Sequence, residues 1–269
     1  MKRNIIYICI ALIFSAAGAS AFELGVGTAL RVGAKAVKAA RGISDKEEIL
    51  LGREMGANLC ARYGLYDDEN LMKYVNLVGR ALAANSGRTN IKYYFAVLNT
   101  DTVNAFAAPG GYVFITKGAL AAIRDEAELA GVLAHEIAHI SQRHIAREIQ
   151  KANMVDAGTD LAVSNSDNQY LMGQLAGFGS NILFKGYSRS DEKEADEKGY
   201  EIAAKTGYDS KGLERFVEIL AQRGGSDTSF STLFKTHPNP NERLGLLRDK
   251  GNSGEGAVNA ERYAASVKL

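Results

Sequence analysis

Excess charge of one sign, disulfide-forming cysteine and long apolar runs are all scarce in this chain of 269 residues. Lys and Arg number 32 against 31 Asp and Glu, a formal net charge of +1. So small a basic excess argues against a nucleic-acid binder. There are two cysteines, Cys9 and Cys60. Cys9 follows Tyr7-Ile8 in the N-terminal apolar segment and lacks the small preceding residue that lipid modification requires. Loss of that segment leaves Cys60 alone, so no internal disulfide is expected, and stability must come from a core or a metal. Past the N-terminus no run is long and apolar enough to span a bilayer. Sequence repeats are also missing. The apolar and charged fractions, 46% and 23%, are those of an ordinary globular protein with a sizeable core.

What is present begins with Lys2 and Arg3, an uncharged run over 5–19, and the small-residue end Ala19-Ser20-Ala21. This pattern predicts a signal peptide over 1–21, cleaved before Phe22, and a periplasmic or secreted mature chain. The alternative is an uncleaved anchor over 4–22, barely long enough to cross. Residues 22–44 form an N-terminal helical segment. Val26, Leu30, Gly33 and Val37 lie on one side, with Arg31, Lys35, Lys38 and Arg41 on the other. Such a cationic face can touch an anionic envelope membrane. A surface helix packed on the domain fits better, because the apolar side is small and has no aromatic anchor.

From 45 to 250 the pattern is that of one α+β domain, mainly helical, with a small antiparallel sheet. Ser44 and Glu47 supply a capping box for a helix to Arg62, and a second helix runs from Asp68 to Ala84. Strands are expected over 91–98, 104–108 and 111–116, the last two joined by a type II turn at Pro109-Gly110. Asp125 and Glu128 open one long helix from Glu126 to about Ile149. A Gly-rich stretch, 156–186, contains a helix with Leu171, Leu175, Phe178 and Ile182. Helices follow at 189–206 and at 210–223, the latter stopped by Gly224-Gly225, and a short one begins at Asn239-Pro240. The polar tail, 251–269, is expected to be disordered.

The chemistry lies in His135-Glu136-Ile137-Ala138-His139. Histidines four apart on one helix face can share one ion, and Glu136 between them can reach a water on that ion. Zinc lowers the pKa of such a water to about 7, and the carboxylate takes its proton during attack on a carbonyl. A helix with two accidental histidines is the bland reading. The apolar neighbours weaken it, since buried imidazoles need partners. A catalytic zinc takes three protein ligands. Of the other two histidines, His144 is about half a turn round the helix from His135 and points elsewhere. Ile145 stands where another zincin pattern has its third histidine. A carboxylate is therefore favoured, and Glu192 with Asp196, four apart in Asp191-Glu192-Lys193-Glu194-Ala195-Asp196, is the best source. Glu192 would bind the metal and Asp196 would orient a ligand histidine. Alone, that cluster would pass for a solvated charged face.

Together with Ser188-Arg189, Thr236-His237-Pro238 and Asn104-Ala105-Phe106-Ala107-Ala108-Pro109-Gly110-Gly111, these motifs resemble the peptidase family of the CAAX prenyl endopeptidase, HtpX and the mitochondrial OMA proteases. The resemblance covers roughly residues 45 to 250. It implies a zincin-like, gluzincin site with one Zn2+ on His135, His139 and Glu192, Glu136 as general base and Asp196 behind the ligands. Without internal membrane helices the chain looks closer to soluble periplasmic BepA-type members, lacking their helical-repeat domain. The resemblance also includes His237, which would either stabilise the oxyanion or fill the fourth position on zinc in a latent state. Arg243 is the rival oxyanion donor.

The edge formed by Asn104, Ala105, Phe106 and Ala107 could pair with an extended substrate. A hairpin that merely closes the sheet explains it equally. Gly173, Gly177 and Gly179 could let 156–186 move as a lid, or could serve helix packing. The expected function is an endopeptidase with polypeptide substrates, acting on misfolded or unassembled proteins, with no nucleic acid and with peripheral contact to an envelope membrane or its assembly machinery. The alternatives are a zinc-bound chaperone or assembly factor, which would not need Glu136, and an aminopeptidase, which would need an acidic pocket absent from the motifs.

Overall fold

Ser44 starts the first helix, α1 (Asp45–Tyr63), as its sequence predicts. Its hydroxyl accepts from the Glu47 N–H at 3.3 Å, and the Glu47 carboxylate accepts from the Ser44 N–H at 2.8 Å. The computed structural model describes residues 43–156, 168–223, 228–237, 240–249 and 255–269, with the backbone alone over 153–156 and 168–173. The expected signal segment, the amphipathic helix over 25–41, Gly224-Gly225, Asn239, the Leu171 side chain and the surroundings of Gly173 lie outside what is described. Asp68 caps α2 (Glu69–Ala83) through the Leu71 N–H at 2.9 Å.

Three strands follow: β1 (Tyr94–Leu98), β2 (Ala105–Ala108) and β3 (Tyr112–Thr116), in the order β1-β3-β2. β2 runs antiparallel to β3, and β1 runs parallel to it. The sheet is therefore mixed, where an antiparallel one was expected. The loop after β1 reverses the chain and the turn after β2 reverses it again, which inserts β3 between them with the direction of β1. Periodicity within a strand carries no information on that order. At the β2–β3 turn Gly110 has φ 73° and ψ 14°, the left-handed conformation a type II turn demands behind Pro109. Both faces of the sheet are covered. Ala105, Ala107, Val113 and Ile115 enter one apolar cluster, and Phe106, Ala108 and Phe114 enter another.

After a short helix α3 (Lys117–Ala122), α4 (Glu126–Ser141) runs through the core and is buried from Glu126 to Ile140. Asp125 accepts from the Glu128 N–H at 2.8 Å, while Glu128 reaches back to the Arg124 N–H instead of closing a box on Asp125. The single helix expected to Ile149 is two, α4 and α5 (His144–Asp156). Arg143 breaks it with φ 60°, a conformation costing about 1–2 kcal/mol for a residue with a side chain. Its guanidinium donates to buried Glu48 and to the Ile43 carbonyl, which offsets that cost. Next along the chain come α6 (Asn168–Lys185), α7 (Arg189–Thr206), α8 (Gly212–Arg223), α9 (Ser231–Thr236) and α10 (Pro240–Asp249).

The tail is ordered from Glu255 and forms α11 (Ala260–Ser266), contrary to the expected disorder. Tyr263 is buried and donates to the Leu120 carbonyl at 2.6 Å, while the Arg262 guanidinium meets buried Glu126 at 2.6 Å. Tyr74 and Tyr208 donate to the same carboxylate, each at 2.8 Å. Asn259 adds a further contact to Glu126, and backbone hydrogen bonds of Ala257 and Val258 to Gly207, Asp209 and Ala127 complete the docking of a segment whose composition reads as polar.

Candidate active site

α4 presents His135 and His139 one turn apart, with Nε2 atoms 3.1 Å from each other. α7 packs across this helix at Gly199, where a Cβ would stand 3.0 Å from the His135 nitrogen. That close approach brings Glu192 between the rings, 3.6 Å from His135 Nε2 and 3.5 Å from His139 Nε2. His237, just after α9, places Nδ1 3.0 Å from Glu192 Oε1 and 3.3 Å from His135 Nε2. All four side chains are buried, and their donor atoms lie within 4.8 Å of one another. A tetrahedral ion with bonds of about 2.0–2.1 Å separates its ligand atoms by about 3.3 Å. These nitrogens and oxygens fit such an ion. Burial, then the neighbouring histidines and Arg243, holds His139 well below the ordinary imidazole range, in the neutral form that ligates. Burial raises Glu192, but His237 and Arg243 outweigh it and keep the carboxyl below its ordinary range. The same pairing raises His237 against its own burial.

Asp196 accepts from His135 Nδ1 at 2.9 Å. Arg243 is committed to Asp196, with its NH2 group 2.6 Å from Oδ1 and Nε 2.9 Å from Oδ2, and its NH1 group is 3.5 Å from Glu192. Burial is the largest influence on Asp196 and raises it, yet Arg243 and His135 hold the carboxyl far below its usual range. Glu136 is different. Its Oε1 lies 3.7 Å from His237 Nε2 and its Oε2 has no partner among the described residues. Burial pushes its carboxyl up, against the pull of His237 and His135.

A narrow cavity of about 20 Å³, room for about one water molecule, opens beside these groups, lined by Asn104, Glu136, His237, Arg243 and an apolar wall that includes Val132, Phe216 and Leu220. Asn104 Oδ1 accepts from Ala105 N–H at 2.9 Å and from Thr236 Oγ1 at 3.3 Å, leaving its buried Nδ2 without a partner. The candidate substrate edge is not open. Ala107 accepts at its carbonyl from Tyr187 Oη at 3.3 Å, and Phe106 packs against Tyr63 and Phe184. Of the three expected lid glycines, Gly177 has open space where a Cβ would stand, whereas at Gly179 a Cβ would be 2.8 Å from Met55 Sδ, so Gly179 serves packing.

Two residues escaped the sequence. The break at Arg143 turns His144 back so that its Nδ1 lies 2.6 Å from His139 Nδ1, although a continuous helix would carry it away. Tyr187 stacks on His139 with ring centroids 3.8 Å apart. Neither carries a spacing signal; His144 would have been found only by anticipating the helix break.

Two helix-borne histidines, a glutamate between them with one oxygen unpartnered among the described residues, and a carboxylate from a second helix have the composition of a metallopeptidase centre. Similarity in sequence gives the same answer, for the profile of peptidase family M48 matches residues 69–250, and the chain belongs to that family. It is 30% identical over 220 residues to a beta-barrel assembly-enhancing protease of Yersinia pestis, covering 78% of this chain and 45% of the relative. The mitochondrial metalloendopeptidase OMA1 of Schizosaccharomyces pombe is 34% identical over 177 residues, 65% of this chain and 52% of that one. The metalloprotease YcaL of Escherichia coli is 31% identical over 180 residues, 66% and 69% of the two chains. The chain spans about half the length of the beta-barrel assembly-enhancing proteases it matches.

Proposed function

We propose that this chain is a zincin-like, gluzincin-type endopeptidase that cleaves internal peptide bonds of misfolded or unassembled polypeptides in the cell envelope. The observation that carries the reading is the convergence of four buried donor atoms beside a glutamate oxygen with no partner. His135, His139 and Glu192 would hold Zn2+, which supplies a Lewis acid for the substrate carbonyl and acidifies water. Glu136 Oε2 takes the proton of the attacking water and delivers it to the leaving amine. Asp196 fixes the His135 tautomer, and Arg243 holds Asp196 through Nε and one terminal nitrogen, while its other terminal nitrogen, 3.5 Å from Glu192, stays on the cavity wall as the rival oxyanion donor to His237. The free Asn104 amide offers a donor to a substrate carbonyl in the cavity. Pairing along the rest of β2 requires Tyr187 to leave the Ala107 carbonyl. Among the described residues the cavity wall offers Glu136 as its sole carboxylate, which disfavours an aminopeptidase.

Cleavage of unfolded casein by the purified chain, with and without a chelator, tests the proposal. The expected result is internal fragments that vanish on chelation and return with zinc. Intact casein under both conditions would leave the chaperone alternative standing. Placement in the envelope rests on the signal-like segment 1–21 and on similarity to proteases named for beta-barrel assembly. No helix among the described residues is long and apolar enough to cross a membrane.

His237 is assigned to latency. Its Nδ1 stands at the fourth corner of the donor set, where a reacting water would have to sit. Replacing His237 by Ala is expected to raise kcat/KM about tenfold, the effect of removing roughly 1.4 kcal/mol of competition. A fall would reassign His237 to the oxyanion, and no change would reject both roles.

A further inference from the structure

We infer that His144 is a positioning residue for the metal ligand His139, and that it links this ligand to a second pair of carboxylates on α7. The facing Nδ1 atoms of the two rings are 2.6 Å apart, and His144 is completely buried. At that distance one nitrogen carries the proton and the other accepts it. The Nε2 atom of His139 belongs to the donor set, so its proton lies on Nδ1 and is donated to His144. His144 then carries its own proton on Nε2, which faces Glu194 Oε2 at 3.2 Å and Asp191 Oδ1 at 3.8 Å. The Arg147 guanidinium lies 2.7 Å from Glu194 and 2.9 Å from Asp191.

His144, Asp191 and Glu194 also have the composition of a second cation site. Arg147 decides against it, because its guanidinium already supplies the positive charge between the two carboxylates. The arrangement instead repeats the logic of the first ligand. Asp196, buttressed by Arg243, holds His135 directly; Asp191 and Glu194, buttressed by Arg147, hold His139 through one intervening imidazole. A ligand ring whose outer N–H is engaged is fixed in tautomer and orientation and binds metal more strongly.

This inference rests on the proposed ligand set, and its test reads metal affinity rather than activity. Zinc affinity of the full chain is measured by competition with a chromophoric chelator, and circular dichroism of each metal-free variant reports folding. His144→Ala should weaken binding about 10- to 100-fold. His144→Asn, which puts an amide oxygen near the place of Nδ1, should recover most of that loss. Glu194→Gln alters a side chain that is 40% exposed, so the fold is safe, and should weaken binding about threefold, a smaller share of the same support. Affinity in His144→Ala or Glu194→Gln equal to the parent's would overturn the inference, as would a folded His144→Asn no tighter than His144→Ala. If His144→Ala does not fold, Glu194→Gln decides alone. A parent that binds no zinc defeats the ligand set itself; a parent that binds tightly beside unaffected variants defeats only the link through His144.

Discussion

Glu136→Gln is expected to lower kcat/KM on an unfolded protein by about 10²- to 10⁴-fold, with zinc content unchanged. Glutamine keeps the shape of glutamate, so the buried site gains neither a cavity nor a clash. What disappears is a proton acceptor at Oε2, among the described residues the one carboxylate oxygen of the site without a partner. The donor atoms for metal come from other residues, so binding should survive. Activity within about tenfold of the parent would remove Glu136 from the mechanism, since a positioned general base contributes at least about 10²-fold. The same variant separates enzyme from holdase: cellular function retained without cleavage would favour a chaperone.

Replacing Arg243 by Leu should cost the metal-free protein about 3–5 kcal/mol of stability, the usual result of stranding buried charge. Arg243 is 5% exposed and its guanidinium serves both Asp196 and Glu192. Burial opposes its charge, but the two carboxylates outweigh burial and hold its pKa above the ordinary arginine value. Without it both carboxylates lose their shared cation, and Asp196 retains His135 alone. Urea denaturation of parent and variant in chelator gives the comparison. The deficit should shrink when zinc is added, because the metal compensates Glu192. Equal stability in chelator would mean that the carboxylates are solvated or protonated, and the account of Arg243 would fail.

Much of this site could be read before any coordinates. The i, i+4 spacing of His135 and His139 dictates a shared helix face, and elimination among four histidines points to Glu192. Capping at Ser44, Asp68 and Asp125 is local chemistry, and local chemistry survives folding. Failures occurred where distant partners override local pattern. Arg143 leaves helical geometry because Glu48, far away in sequence, captures its guanidinium. The direction of β1 depends on which side of β3 it reaches, and the tail is fixed by Glu126 and the Leu120 carbonyl. Tyr187 was overlooked and His144 set aside as pointing elsewhere for the same reason, since their partner His139 becomes a neighbour only after α4 ends.

Apart from Glu136 on α4 itself, the described carboxylates around His135, His139 and His144 come from about a turn and a half of α7: Asp191, Glu192, Glu194 and Asp196. On the proposed ligand set, docking of that one helix would install the third ligand and both outer supports in a single event. Capture of the ion and closure of the α4–α7 interface are then one thermodynamic step. Gly199 sets the spacing of that interface, since a Cβ there would stand 3.0 Å from the His135 backbone nitrogen and push the two helices apart.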